Sequence, residues 1–429
     1  MARDVRMKTS ATKQNIKRAK VSRRSVDRRA KRNRKQYIKS HRIKKKINIG
    51  RILFRESGFY LDYSLMFIML ILIGLGLVMV YSSSSTTTQS LVNIIKSQVL
   101  FAIVGIVLML IEARVIDYHW FTYPAVAYGL YIASLMLVLL LLSPLGYNYN
   151  GATRWIEIGP ISFMPVEIVK VGIIAAMTCN VVSLGDKINK IGNIVIMWIL
   201  YGVIPAGMLY VISNNLSSAI IVMGICFLIT FFAYPGYKLF VGIVGIGIAA
   251  AIAIFSKIMS IINSGSNFRF KRILAWLHPE DYADTTAYQT IHGLYAIGSG
   301  GLFGKGLGKS IVKVKLPEAY NDMIFSIICE ELGLFGALCV LLAFGVLLWR
   351  IAHVARNAPD MQGALLCAGV FAHISIQVLV NIAVVTGTIP NTGVTLPFIS
   401  KGGSAILILL LEMGVVFNVS SQIKDDLNE

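Results

Sequence analysis

Charge is scarce in this chain outside one end. Only 14% of its 429 residues are Asp, Glu, Lys or Arg, and 56% are hydrophobic. Mean hydropathy is +0.69. A soluble domain of this length needs far more charge on its surface, so that class is excluded and an integral membrane protein is expected. The five cysteines (Cys179, Cys226, Cys329, Cys339 and Cys367) fall in apolar runs without CxxC spacing. That excludes a disulfide framework and a zinc site. No apolar segment precedes residue 60, so no cleaved signal peptide is expected. A phosphate loop is missing as well. In "GSGGLFGKGLGKS" position 303 is Phe where GxxxxGK[ST] needs Gly, no strand precedes it, and GxGxxG fails too. ATP-driven transport is disfavoured.

The charge that is present is uneven. Residues 1–55 hold 22 of the 41 Lys and Arg against two acids, Asp4 and Asp27, while the rest of the chain is balanced. Residues 1–58 therefore read as a disordered basic tail at the cytoplasmic face, since each Lys or Arg near an anionic leaflet contributes roughly 1 kcal/mol. The tail has no interleaved aromatics, so nucleic acid is not expected as a partner.

Residues 59–423 read as an all-α integral membrane domain. About 20 apolar residues cross a bilayer core, and ten candidate spans fit: 63–82, 94–113, 121–143, 165–183, 191–212, 217–234, 238–256, 323–349, 362–386 and 404–421. Basic residues at Arg114, Lys187, Lys190, Lys238, Arg350 and Arg356 mark alternate connections as cytoplasmic, whereas "SSSSTTT" (82–88) and "SNN" (213–215) carry none. Both termini, including residues 424–429, are then expected in the cytoplasm. Segments 144–164, 257–322 and 387–403 are expected outside, the largest lying between spans 7 and 8.

Chemistry concentrates in those three segments. Arg154 and Trp155 lie at the interface, and Glu167 and Lys170 enter the fourth span on one helix face, either as a structural ion pair or as a polar cavity wall. "NFRFKRILAWLHP" reads as an interfacial amphipathic helix with Arg269 and Arg272 on one side. Lys305, Lys309, Lys313 and Lys315 run against the positive-inside bias, and an anionic phosphate or pyrophosphate ligand is one reason for them; ordinary solvated charge is the other. The glycines between 298 and 308 allow either amides that cradle phosphate or a loop that re-enters between helices. Glu280, Asp281, Asp284, Glu318, Asp322, Glu330 and Glu331 supply carboxylates that could take a proton or hold a divalent cation. A base should stand apart from the cations that would weaken it, which favours "DYADTTAY". "GTIPNTGVTLPFISKGGSA" reads as a structured turn lining a polar cavity.

Several blocks, in order, resemble one family. "TGVTLPFISKGGSA" is similar to the signature TGVTLPFISYGGSS of the SEDS proteins (FtsW, RodA and SpoVE). "TRWIEIGPISFMPVEIVK", "YQTIHGLYAIGSGGLFGKGLGKS", "LPEAYNDMIFSIICEELG" and "VNIAVVTGTIP" with Gln377 and Asn381 match other blocks of it, and the resemblance covers about 60–421. It implies ten transmembrane helices and a peptidoglycan glycosyltransferase that polymerises lipid II, working with a class B penicillin-binding protein in the divisome or elongasome. The site residues implied are a catalytic Asp284, or Asp281, with Arg154, Glu167, Lys170, Arg269, Arg272, Lys305, Lys309, Glu318, Asp322, Lys401 and Ser404 binding substrate. The family's essential Asp, six residues before the Tyr of the YQ pair, lands on Tyr282, flanked by those two aspartates. The signature Tyr is Lys401, its second Ser is Ala405, and Met164, Val166 and Tyr320-Asn321-Asp322 also depart from the pattern. No cofactor is required beyond an optional divalent cation, Mg or Mn. A lipid-linked sugar flippase and a scaffold that only recruits a transpeptidase are the other readings.

Overall fold

In a computed structural model the chain is described over residues 61–84, 88–149, 152–158, 161–236, 238–247, 249, 253 and 268–423. The basic tail, the final segment 424–429 and the first part of the large connection lie outside the described residues.

The helices are α1 (Tyr63–Ser83), α2 (Thr88–Val115), α3 (Pro124–Leu140) and α4 (Pro165–Leu184), then α5 (Ile191–Ile212), α6 (Leu216–Ala233) and α7 (Lys238–Gly247). The chain continues through α8 (Phe268–Leu277), α9 (Tyr288–Gly300), α10 (Ile324–Asn357), α11 (Met361–Val385) and α12 (Gly403–Ser420). Among the described residues, eight are long and apolar enough to cross a membrane; α3 and α7 are apolar but shorter. Each falls where an apolar window predicts a span, because a helix satisfies its own backbone and needs only apolar side chains outside.

The all-α expectation needs one correction. Residues 146–163 form a small antiparallel sheet, β1 (Gly146–Tyr149), β2 (Ala152–Ile158) and β3 (Ile161–Phe163), in the order β1-β2-β3. Ile156 of β2 is fully buried. With side chains alternating between faces, Arg154 shares the face of Ile156.

Several polar groups inside the bundle are matched locally. Pro205 in α5 has no N–H, which leaves the carbonyl of Tyr201 without its helical donor. The helix widens to a π turn over Trp198–Val203 just before it. The thiol of Cys226 donates to Tyr201 O at 3.2 Å, and the Tyr131 hydroxyl to Leu200 O at 2.5 Å. At the end of the bundle away from the sheet, Asp62 caps α1 and takes an ion pair from Arg350 at 2.6 Å. There too Asn418 of α12 donates to the carbonyls of Ala113 and Ile116, closing the end of α2.

The glycine-rich segment after α9 is a packing device. α10 breaks at Gly333 (φ 69°, ψ −173°), which frees backbone groups on both sides. The carbonyls of Glu330 and Glu331 accept from the amides of Lys305 and Gly306, both at 2.9 Å. The amides of Leu334 and Phe335 donate to Gly301 and Leu302 at 2.9 and 3.0 Å. A Cβ on Gly304 would sit 2.2 Å from Glu331 O, and one on Gly300 would sit 2.0 Å from Cys329 O. Close backbone approach accounts for Gly300 and Gly304. The same turn is held by buried carboxylates. Glu330 accepts from Lys305 at 2.8 Å, from Ser310 Oγ and from Ile311 N at 3.1 Å. Glu331 accepts from Ser82 at 2.5 Å and faces Lys313.

Gly333→Ala places a side chain at positive φ and 2.4 Å from Gly304 N. It should lower stability by about 1–3 kcal/mol, read as a drop in the thermal midpoint of the detergent-solubilised protein. Gly298→Ala, which meets nothing within 4 Å, should leave that midpoint unchanged or raise it slightly.

Candidate functional site

Four segments meet at the end of the bundle that carries the sheet: β2, α8, the turn before α10, and the loop 386–402. Arg154 Nη2 donates to Asn214 O at 3.2 Å. A Cβ on Gly393 would lie 3.6 Å from Arg154 Nη1 and 3.8 Å from Asp322 Oδ2, so arginine and carboxylate flank that glycine, whose φ of 72° L side chains rarely adopt. Arg272 stands in the field of both Arg154 and Asp322. Trp276, on the same helix, donates to Gly387 O at 2.7 Å and fixes α8 against the 386–402 loop.

Asp322 is partly accessible at its edge but encased in protein. Burial raises its pKa to about 6; Glu318 adds to the rise, while amide hydrogen bonds and Arg154 oppose it. Burial also lowers Arg154, with Arg272 in the same direction. Lys401 is lowered by burial and partly restored by Glu318. Its ammonium stands 4.8 Å from the centre of the Tyr320 ring, and its amide donates to Tyr320 O. Glu318 accepts from Asn321 at 2.6 Å. Three cations therefore face two acids, a balance suited to a multiply charged anion.

The loop 386–402 is locked from below. Asn381 donates to Asp322 O at 2.9 Å and Val394 O at 2.7 Å, Ser400 Oγ to Asn321 O at 2.6 Å, and Gln377 to Thr395 O at 3.1 Å. Gln98 of α2 bonds both Ser400 O and Gly402 N. Among the described residues, Arg154 Nε, Asn381 Oδ1, Thr392 Oγ1 and Ser404 Oγ are buried without a partner. Orphaned polar atoms in a native structure call for an explanation, and a bound polar molecule is one.

The structure thus brings together Arg154, Arg272, Glu318, Asp322 and Lys401, with Ser404 at the start of α12. Glu167 and Lys170 form the expected ion pair at 2.7 Å, buried, with Lys170 also donating to Gln377 at 3.1 Å. They lie beneath the loop and are joined to it through Thr395. Lys305 is engaged by Glu330 and Ser299, and Lys309 is exposed. The side chain of Arg269 lies outside the described residues. Asp281 and Asp284 are exposed on the turns between α8 and α9. Among the described residues neither side chain makes a hydrogen bond or ion pair, and neither is enclosed as Asp322 is. Sequence reasoning missed Gln98 and Thr392; a lone Gln in the second apolar window was the available signal. Among the described residues no three metal-ligating side chains converge.

Comparison with known proteins identifies the family. The sequence model of a family described as "Cell cycle protein", FtsW/RodA/SpoVE, matches residues 63–425. The chain is 35% identical over 368 residues to stage V sporulation protein E of Bacillus subtilis, covering 84% of this chain and 96% of that protein. It is 33% identical over 368 residues to a probable peptidoglycan glycosyltransferase FtsW of Trichlorobacter lovleyi, covering 85% and 94%. Among solved structures it resembles a chain of a peptidoglycan synthase complex that coordinates polymerization and crosslinking. The TM-score is 0.68 at 24% identity, over 86% of this chain and all of that one. RodA of Thermus thermophilus gives a TM-score of 0.58 at 24% identity, over 85% and 98%. This chain belongs to the FtsW/RodA/SpoVE family.

Proposed function

We propose that the protein is a peptidoglycan glycosyltransferase that polymerises lipid II, with Asp322 as the general base. The observation that carries the site is the carboxyl of Asp322, enclosed by protein, set beside Arg154 and Arg272, and raised to about 6. Arg154, Arg272 and Lys401 grip the pyrophosphate, Arg through paired N–H groups. Asp322 takes the proton of the acceptor sugar hydroxyl, whose oxygen forms the new bond to the anomeric carbon. The bond from that carbon to the pyrophosphate oxygen breaks, and the pyrophosphate leaves with the electron pair. One displacement inverts the anomeric centre. A base near 6 is ionised at neutral pH yet basic enough to work, which suits Asp322 better than the exposed Asp281 and Asp284. Any divalent cation would rest on few protein oxygens, with substrate phosphate completing its shell.

The lipid-linked substrate puts this end of the bundle outside the cytoplasmic membrane, with both termini inside. Counting the shorter apolar helices α3 and α7 with the eight long ones makes ten spans. A class B penicillin-binding protein is the partner that cross-links the strands. A flippase would need an open polar path. The polar line that runs inward from Glu167 is sealed: Glu167 is 6% exposed, Lys170 2%, Gln377 3% and His373 0%.

With its partner transpeptidase, the protein should extend lipid II into glycan chains, scored by gel electrophoresis. Asp322→Asn should lower the rate by about 10²–10⁴-fold, while Asp281→Asn and Asp284→Asn stay near wild type. A silent Asp322→Asn beside an inactive Asp284→Asn or Asp281→Asn would move the base to the exposed turn. Because only the ionised carboxyl accepts a proton, the wild-type rate should hold above pH 6. It should fall about tenfold per unit below, as Asp322 titrates near 6.

A further inference from the structure

The polar line continues past Lys170 into the middle of the membrane, to groups the glycosyl transfer does not use. His373 of α11 is fully buried, and so, within a few per cent, are Glu412 of α12 and Glu112 of α2. His373 Nδ1 lies 2.7 Å from Glu412 Oε2, and His373 Nε2 lies 2.9 Å from Gln377 Oε1. Glu112 is the ionisable neighbour of Glu412 across the α2–α12 interface. Its carboxylate presses on α12 so closely that a Cβ on Gly414 would sit 2.7 Å from Glu112 Oε2.

The partners fix where the protons are. Gln377 Nε2 faces the carbonyl of Thr395, which only accepts, and Gln377 Oε1 faces Lys170 Nζ, which only donates. That settles the orientation of the amide from chemistry. His373 Nε2 must then donate to Gln377 Oε1, so the ring carries a proton there. Nδ1 faces the Glu412 carboxylate, so a second proton stands between them. Glu412 Oε1 is buried with no donor among the described residues. A carboxylate oxygen left so inside a membrane is costly.

We propose that His373, Glu412 and Glu112 form a proton-binding site in the membrane interior. His373 is an imidazolium paired with the Glu412 carboxylate, and Glu112, buried against α12 beside them, is a protonated carboxylic acid. The site holds two more protons than three isolated groups with a neutral imidazole, and it carries no net charge. On the elements packed around it, Glu167 and Lys170 of α4 neutralise each other, α2 carries Lys96 toward the site end and Arg114 near the other end, and α10 carries Glu330 and Glu331 toward the site end and Arg350, His353 and Arg356 toward the other. Beyond Glu112, Asn418 joins the end of α2 to Tyr118 N. There His119 bridges Asp117 and Asp360 at 2.6 Å each. Through Gln377 the proton-binding site sets the donor beside Lys170 and beneath Thr395, so its occupancy is linked to the loop of the candidate site.

The test needs no turnover and so stands or falls apart from the polymerase reading. Infrared spectra of the full chain in lipid bilayers, in H2O and D2O, are taken at pH 8, where Asp322 is ionised. Wild type should show a protonated-carboxyl carbonyl band that shifts in D2O. Glu112→Gln, which keeps the size of the side chain, should lose the band. Glu412→Gln should keep it at a shifted frequency, because the neighbouring negative charge is gone. Absence of the band in wild type overturns the proposal, whatever the variants do. Survival of an unchanged band in Glu112→Gln, or its complete loss in Glu412→Gln, overturns it as well.

Discussion

The exchange of backbone hydrogen bonds around Gly333 holds the site end of this molecule in place. A helix that breaks inside a membrane exposes carbonyls and amides that water cannot reach, and each must find a partner. Here the segment 301–306 supplies all four, and glycine is the residue that lets the two backbones come close enough. The first turns of α10, now independent of the long helix below, carry Glu330 and Glu331. Those carboxylates gather the amides and lysines of residues 305–313. The turn that presents Asp322 lies directly before this braced stub, so the position of the buried acid depends on a contact made between two chain backbones.

The second organising feature is the contrast between acids. Asp281, Asp284 and Asp322 differ little in sequence, and each follows or precedes a helix. The protein surrounds only one of them, and enclosure is what lifts a carboxyl toward neutrality. Arg154 reaches the same place because a strand alternates its faces, and Ile156 two residues on is driven inward by burial.

The spans were legible because a bilayer demands about 20 apolar residues in a row, a signal no other fold element imitates. The family blocks were legible for the same region. The small sheet was not: strands of three to seven residues between glycines carry too short a pattern. Lys305 read as a cation free to hold a ligand, because its partner Glu330 lies 25 residues away and pairing at that range is invisible to spacing. Offset counting led to the aspartates beside Tyr282 and could not see that burial distinguishes Asp322. His373, a lone histidine in an apolar run, gave no sign of Glu412 or Glu112, which come from other helices.

The indole of Trp276 has a mechanical consequence. Its bond to Gly387 ties the amphipathic helix bearing Arg272 to the 386–402 loop, the one bearing Gly393. Anything that displaces that helix would pull on the loop as well. The force would travel through one tryptophan to the backbone beside Gly393, so α8 and the 386–402 loop move as a single piece.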